Sequence, residues 1–308
     1  MNEREIIARV RRMAEHPAAR NLDDDAALFE GWVITHDAIA EGVHYLPGDP
    51  PQTVGWKLAA VNASDLAGKG AKPAAALLSM TINGDGEWEA AFLDGLEEAL
   101  LEFGMSLIGG DTIALPRGTT RVLAMTALGR AAEATPSRSG GKTGDTLWLV
   151  GTIGDSAAGL RQLREDPLAG GPLVDAYRRP RPLLAEGLAL GPRVSAMMDV
   201  SDGLLIDAAR MASASGLRAD IDLSALPLSD GFIGFVGDGL EARLRAATGG
   251  DDYALLAAAP DVLLGVCLPT ATKLTAIGRL VDGEGLSLSH DGALVPVPER
   301  LGHEHRFD

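Results

Sequence analysis

Aspartates stand at the ends of several predicted strands and helices, and their placement constrains the fold more than any other feature of the sequence. Asp37 follows the strand-like run at residues 32–35, and Asp65 continues the apolar stripe of a helix predicted to open at Thr53. Asp111 follows two glycines at the end of a further predicted strand. An unpaired carboxylate at such positions is costly, so the folded chain must bring compensating groups to these side chains.

Each aspartate taken alone has an ordinary explanation, because Asp is favoured in turns and at helix N-termini. Five separated segments nevertheless end in the same way. They carry Asp24-Asp25, Asp37, Asp65, Asp111, and Asp199 with Asp202. If these segments converge they need cations, since two unit charges 4 Å apart repel by about 4 kcal/mol at an effective dielectric near 20.

The kind of cation follows from the kind of ligand. Carboxylate oxygens, in a chain with one cysteine and six histidines, favour magnesium or manganese over zinc. Magnesium in proteins is commonly held by a few carboxylates together with substrate phosphates. The pattern therefore indicates a phosphorylated substrate.

Helical and strand-like patterns alternate along the chain, which predicts a mixed α/β architecture. A length of 308 residues favours two domains. Periodicity is lost over residues 131–142, where small polar residues and glycine accumulate, so we expect domains at 1–136 and 137–308.

Composition excludes several classes of function. The 43 acidic and 27 basic side chains give a net charge of −16, which argues against nonspecific binding to nucleic acid or to anionic membranes. The single cysteine, Cys267, cannot form an internal disulfide, and the chain has no apolar run of transmembrane length or signal-peptide type. We expect a cytoplasmic protein.

Two nucleotide-binding motifs are not supported. The segment Gly140-Gly141-Lys142-Thr143 imitates the end of a phosphate-binding P-loop, but Pro136 stands where that motif requires glycine. The Gly-x-Gly-x-x-Gly fingerprint of dinucleotide-binding folds does not occur at a strand-to-helix turn.

Taken in order, short segments over nearly the whole chain resemble the thiamine-monophosphate kinases. These belong with aminoimidazole ribonucleotide synthetase, selenophosphate synthetase and a hydrogenase maturation factor in one ATP-using superfamily. The matching segments are Asp24-Asp25-Ala26-Ala27, Thr35-His36-Asp37, Glu41-Gly42-Val43-His44, residues 61–67 (VNASDLA), Gly109-Gly110-Asp111-Thr112, Arg138-Ser139-Gly140, residues 154–160 (GDSAAGL), residues 199–204 (DVSDGL) and residues 249–253 (GGDDY).

The resemblance implies a two-domain α/β fold whose N-terminal strands pair into a homodimer with a barrel-like interface. It implies direct transfer of the γ-phosphoryl group of ATP to thiamine monophosphate at several magnesium ions. The implied metal ligands are Asp25, Thr35, His36, Asp37, Asp65, Asp111, Asp199 and Asp202, of which Asp37, Asp65 and Asp111 are the expected catalytic residues. Gly110, Asp111, Arg138 and Ser201 are expected to bind ATP, and His44, Asp251 and His303 to bind thiamine monophosphate.

Four positions depart from the family pattern. Asp23 replaces a glycine, His36 a threonine, Asp251 a glutamate, and His303 an aromatic residue near the C-terminus. The resemblance implies that a selenophosphate synthetase carries a reactive cysteine or selenocysteine with a lysine near its N-terminus, and that the hydrogenase maturation factor ends in cysteine. This sequence has neither feature. Two alternatives remain, namely a ligase similar to aminoimidazole ribonucleotide synthetase and a catalytically silent nucleotide-binding or scaffolding protein.

Overall fold

The computed structural model describes residues 3–131, 134–263 and 266–304, and it arranges them as a mixed α/β fold of two domains around two separate sheets. The elements of the N-terminal domain are α1 (Glu3–Arg11), β1 (Ala27–Phe29), β2 (Trp32–Ala40), α2 (Pro51–Gly68), β3 (Lys72–Ile82), α3 (Gly86–Phe103), β4 (Ser106–Ala114) and β5 (Val122–Arg130).

The N-terminal sheet is open and has the strand order β1-β2-β5-β3-β4. All its neighbouring strands are antiparallel except β3 and β4, which are parallel and are joined by α3. The expected barrel is therefore not closed within one chain. Strand β4 forms one edge of the sheet, and every one of its residues is exposed.

The elements of the C-terminal domain are β6 (Thr146–Val150), α4 (Asp155–Glu165), α5 (Pro172–Arg178), α6 (Leu184–Leu190), β7 (Ala196–Val200), α7 (Leu204–Ala214), β8 (Arg218–Asp222), α8 (Asp230–Val236), α9 (Leu240–Thr248), β9 (Ala254–Ala259), β10 (Leu274–Val281), β11 (Gly285–His290) and β12 (Ala293–Val295). Their sheet has the order β12-β11-β8-β10-β6-β9-β7 and is mixed, with β8 and β11 parallel. Within the described ranges, no helix combines the length and apolarity needed to cross a bilayer.

Local sequence signals explain the long helices. Asp85 accepts a hydrogen bond from the Trp88 amide at 3.2 Å and so caps α3, which ends at Gly104 in a left-handed conformation with φ of 71°. The apolar residues of segment 87–103 recur at helical spacing, and this pattern predicts the helix. Helix α2 begins at Pro51, two residues before the predicted start, because proline is well suited to a first helical turn.

Helix α2 lies between the two domains and is buried on all sides. Every residue from Val54 to Gly68 is buried, including the charged Lys57 and Asp65. The helix packs against α3 and strands β2 and β5 on one side, and against α6 and β7 on the other. It therefore carries its polar side chains directly to the junction between the domains.

Glycines allow the backbones to approach closely around α2. A Cβ on Gly95 of α3 would lie 2.0 Å from Gln52 O, and one on Gly55 would lie 2.1 Å from Phe92 O. Towards the C-terminal domain, a Cβ on Gly68 would lie 2.9 Å from the Asp199 amide nitrogen. At these glycines the backbone of α2 lies directly against the backbones of α3 and β7, with no side chain in between.

We expect Gly95→Ala to destabilise the protein by roughly 2 kcal/mol or more, because the added methyl group meets a backbone carbonyl that cannot rotate away. Equilibrium urea unfolding measures the change. Gly86→Ala is the matched control: it lies at the start of the same helix, and no atom lies within 4 Å of its added Cβ. Equal effects of the two substitutions would contradict the close-packing interpretation.

Candidate functional site

Three aspartates from separate parts of the chain meet near the end of α2, at the junction between the two domains. Asp25, Asp65 and Asp199 each offer a carboxylate oxygen, and these oxygens lie within 4.8 Å of one another. Asp25 precedes β1, Asp65 lies near the end of α2, and Asp199 lies on β7. The family resemblance implies that these three residues share a metal site, and the structure brings their carboxylates together.

Residues of β2 and α2 hold this acidic cluster in place. Thr35 donates its hydroxyl hydrogen bond to Asp65, and the Asn62 side-chain carbonyl accepts one from the Asp37 amide at 3.2 Å. Thr35 and Asp37 lie on the same face of β2 because side chains alternate along a strand. On the other side of the cluster, the Ser64 hydroxyl donates to Asp199 Oδ2 at 2.6 Å.

Two cationic side chains contact the cluster at Asp25. Arg138 donates to Asp25 Oδ1, and Lys69 Nζ lies 2.7 Å from Asp25 Oδ2. Burial disfavours the charged form of Asp25, but Lys69 and Arg138 outweigh it and lower its pKa to about 2. Asp25 is therefore ionised at any physiological pH.

Among the residues that the structure describes, no cationic side chain pairs with the remaining carboxylates of the cluster, and their pKa values shift in the opposite direction. Burial, together with the charge of Asp25, raises the pKa of Asp199 to about 8. Burial and the neighbouring Asp37 and Asp199 raise the pKa of Asp65 well above its ordinary range. The cluster thus holds more carboxylates than its own cations neutralise, and the excess is suited to bind an added cation.

One oxygen of the cluster is also suited to act as a metal ligand. Asp25 Oδ2 is buried and receives no hydrogen bond of suitable geometry from any described residue, although Lys69 lies close to it. Buried oxygens are normally hydrogen-bonded. An oxygen without that bond, beside two further carboxylates, is a donor set suited to magnesium.

The loop after β7 is shaped by a buried carboxylate that the sequence analysis did not single out. Asp207 on α7 is fully buried and accepts hydrogen bonds from the Ser201 and Asp202 amides, each at 3.1 Å. Arg210 joins Asp202 to Asp207 through contacts of 2.5 and 2.8 Å. Burial raises the pKa of Asp207 to about 7, although Arg210 opposes the shift. Its position three residues after Leu204, within an apolar helix, was the available signal.

A second polar group lies around Lys57 of α2, whose side chain is 2% exposed. Lys57 Nζ donates to Asp251 Oδ2 at 2.7 Å and to His44 O at 2.9 Å, and lies 4.2 Å from the centre of the Tyr177 ring. Tyr253 donates its hydroxyl to the other oxygen, Asp251 Oδ1, at 3.0 Å. Sequence reasoning missed Lys57, although a lysine within an apolar helix was a visible signal.

The segment that carries Asp251 is strained and joined to the loop after β7. Asp251 and Tyr253 have φ values of 66° and 53°, in the left-handed region that non-glycine residues avoid. The Asp251 amide donates to Ser201 O at 2.7 Å, and the Tyr253 amide donates to Val200 O at 2.8 Å. Burial would raise the pKa of Asp251, but Lys57 outweighs it and lowers that pKa.

Other predicted residues lie outside the cluster. His36 projects from the face of β2 opposite Thr35, with Nδ1 2.9 Å from Thr126 Oγ1. The exposed side chain of His303 lies beside the loop after β7, where the His303 amide donates to Asp202 O at 2.8 Å. No finding tests their predicted roles, which stay predictions.

Gly110 and Asp111 lie on β4, the exposed edge strand. Asp37 shares a row of paired residues with Met125 of β5, Leu78 of β3 and Gly110. Three strand spacings therefore separate Asp37 from this part of β4, a distance of about 14 Å. A Cβ on Gly110 would lie 2.0 Å from Leu78 O, so strand pairing itself requires glycine there. One chain does not bring Asp111 to the cluster.

Comparison with known proteins places this arrangement among relatives. The family model described as AIR synthase related protein, N-terminal domain, matches residues 23–131, and the corresponding C-terminal domain model matches residues 142–291. The chain is 38% identical to the thiamine-monophosphate kinase of Caulobacter vibrioides, over 94% of this chain and 86% of that protein. It is 36% identical to the thiamine-monophosphate kinase of Salmonella typhimurium, over 92% of this chain and 91% of that protein.

Solved structures agree with the sequence comparisons. AaThiL complexed with AMPPCP and TMP superposes with a TM-score of 0.86 at 29% identity, covering 98% of this chain and 97% of that one. The thiamine-monophosphate kinase of Stenotrophomonas maltophilia superposes with a TM-score of 0.77 at 33% identity, covering 94% and 96% of the two chains.

The raised pKa values predict that the metal-free protein loses stability as pH rises. Between their ordinary pKa of 3.8 and folded values of about 8 and about 7, Asp199 and Asp207 hold protons that the unfolded chain has released. Stability therefore falls over this interval. We expect the melting temperature in EDTA to drop by on the order of 10 °C between pH 5.5 and 8.5, measured by scanning calorimetry.

Asp199→Asn should flatten this dependence, because the amide keeps an acceptor for Ser64 but carries no charge. Asp238→Asn, at an exposed position, is the matched control and should leave the dependence unchanged. The paired Asp25 contributes stability that is lost only as pH falls below its ordinary range towards about 2, so it does not affect this interval. A melting temperature that rises from pH 5.5 to 8.5 would contradict the interpretation.

Proposed function

The chain belongs to the AIR synthase-related proteins and, among them, to the thiamine-monophosphate kinases, and we propose that its acidic cluster is the centre of the phosphoryl transfer. The enzyme phosphorylates thiamine monophosphate at the expense of ATP. The observation that supports this location is the meeting of Asp25, Asp65 and Asp199 at one point, with more carboxylates than neighbouring cations.

Magnesium is the cation that the donor set favours. Asp25, Asp37, Asp65 and Asp199 would hold it, with the backbone-anchored Asp202 at the border of the cluster. Bound magnesium would neutralise phosphate oxygens as charge shifts between donor and acceptor.

The transfer needs no protein base. The phosphate of thiamine monophosphate is already an anionic nucleophile near neutral pH, so the γ-phosphoryl group of ATP can pass to it in line, without a phosphoenzyme. The obstacle is repulsion between two anions in a site that is itself acidic. The work of the protein is therefore to orient both phosphates and to compensate charge.

We assign ATP to the side of the cluster formed by Arg138 and Ser201. The Arg138 guanidinium is planar and suits phosphate oxygens, and its hydrogen bond to Asp25 fixes its orientation. Asp207 fixes the Ser201 amide nearby. ATP would thus meet an arginine that the protein has oriented beforehand.

We assign the thiamine moiety to the side where Asp251 and His44 meet Lys57, with His303 approaching it from beside the loop after β7. Asp251 is already paired with Lys57, so the pair carries no net charge, and long-range attraction of the cationic thiazolium by Asp251 is weak. Its carboxylate can act at contact distance only, fixed between Lys57 and Tyr253. Selectivity at this side therefore depends on orientation more than on net charge.

The activity and its site are tested together by product analysis. Phosphorus NMR of the protein with ATP, magnesium and thiamine monophosphate should show thiamine diphosphate and ADP. Asp65→Asn should lower kcat by ~10²–10³ while the folded structure is retained, because the amide can still accept from Thr35. Unchanged turnover would remove the cluster from the mechanism. ATP turnover that is independent of thiamine monophosphate would favour the ligase alternative.

The position of Asp111, away from the cluster of its own chain, is explained if a second chain takes part in the site. Strand β4 is a nine-residue edge strand with both faces exposed, including Leu107, Ile108 and Ile113 at 49%, 62% and 55% exposure. A long, apolar, unpaired edge is a template for pairing with another strand. We propose that β4 pairs across a homodimer, extends the open sheets towards a barrel, and brings Asp111 to the cluster of the partner subunit.

This arrangement predicts complementation between two inactive variants. Asp65→Asn and Asp111→Asn should each inactivate a homodimer. A heterodimer of the two, purified through two different tags, has one site with both substitutions and one intact site, so it should recover about half of wild-type activity. If Asp111 serves its own chain, both sites carry one substitution and the heterodimer stays inactive.

The proposed dimer interface is tested by a lysine substitution on β4. Ile108→Lys places a charge on the proposed contact and should yield monomers in light scattering, with loss of complementation. Leu168→Lys is the matched substitution at a residue that is 92% exposed, and it should leave the dimer intact. A dimer that survives Ile108→Lys would contradict pairing through β4.

A further inference from the structure

Lys69 is a charged residue whose side chain is completely buried. It follows directly after α2, and its side chain has 0% exposure. Nζ donates to Asp24 Oδ1 and to Met197 O, the latter at 3.0 Å, and lies 2.7 Å from Asp25 Oδ2. From its position after α2, the ammonium thus contacts both the segment before β1 and strand β7.

The position of this ammonium is next to the proposed metal ligands. Asp25 Oδ2, the buried oxygen that receives no well-oriented hydrogen bond, lies 2.7 Å from Lys69 Nζ. Asp24 is 1% exposed and is neutralised by Lys69 together with Arg20. Without Lys69, the buried Asp24 and Asp25 would share only two arginines, one on each carboxylate.

We propose that the Lys69 ammonium is a permanent cation of the acidic cluster. Its positive charge compensates negative charge that bound magnesium would otherwise neutralise, so the cluster binds magnesium more weakly than it would without Lys69. This inference rests on the proposed function of the cluster as a magnesium site. A fixed ammonium beside Asp25 stabilises the carboxylates before any metal arrives, and it repels a divalent ion at the same point.

Two consequences follow for the protein without nucleotide. The cluster stays folded in the absence of metal, since one of its charges is permanently compensated. It also binds magnesium weakly until the phosphates of ATP supply further ligands, so that metal and nucleotide enter together. Lys69 is in this sense a positioning residue, because it contacts neither substrate and acts through Asp24 and Asp25.

The test compares magnesium binding and thermal unfolding of Lys69→Met with the wild type, both without ATP. We expect the variant to bind magnesium at least tenfold more tightly by calorimetric titration. We expect its melting temperature in EDTA to fall by roughly 10 °C and saturating magnesium to restore most of that loss. Lys72→Met, at an exposed position on β3, is the matched control and should change neither quantity.

An unchanged magnesium affinity in Lys69→Met, or a lowered melting temperature that magnesium does not raise again, would overturn the proposal. Lys69 would then be only a member of a structural ion pair.

If Lys69→Met does not fold, the double variant Lys69→Met/Asp24→Asn removes one charge of each sign from the buried pair. It should regain stability in EDTA and bind magnesium within about threefold of the wild type. A double variant that stays unstable in EDTA, or whose magnesium affinity differs more widely from that of the wild type, would also contradict the proposal. Neither measurement uses turnover, so the result is independent of the kinase assay.

Discussion

The compensation of buried carboxylates is the constraint on which the rest of the structure depends. Asp24, Asp25, Asp65, Asp199 and Asp207 are all withdrawn from water, at a cost that only cations or hydrogen-bond donors can offset. The chain supplies two arginines and a lysine to the first two and Arg210 to Asp207. Burial still raises the pKa of Asp207, and it raises those of Asp65 and Asp199, which have no cationic partner among the described residues. This unequal division leaves negative charge where a substrate-bound cation is useful.

Helix α2 gives this arrangement its geometry. It places Lys57, Asn62, Ser64 and Asp65 on consecutive turns between the two domains, with Lys69 directly after its end. Because glycines bring its backbone against α3 and β7, the side chains at the domain junction are held by rigid elements. A shift of the helix would break contacts to both domains at once, so packing and site geometry are linked.

Buried cations also pair with carboxylates on both of the sides that we propose for the two substrates. Arg138 and Lys69 meet Asp25 on the side assigned to phosphate transfer, whereas Lys57 meets Asp251 on the side assigned to thiamine. In each case a cationic side chain of the protein itself orients the carboxylate. Strain at Asp251 and Tyr253 is tolerated because the amides of both residues bond to the end of β7 and the loop after it.

The sequence by itself determined the alternation of helix and strand, the long helix ending at Gly104, and the set of aspartates, because these depend on periodicity, capping and residue chemistry over a few neighbouring positions. Only the tertiary structure decided which carboxylates meet. It joined Asp25, Asp65 and Asp199, placed Asp111 about three strand spacings away on an open edge, and turned His36 to the other face of β2. It also revealed Lys57 and Lys69 as buried counter-ions. Charge pairing between residues distant in the chain depends on strand order and helix packing, which local sequence patterns do not encode.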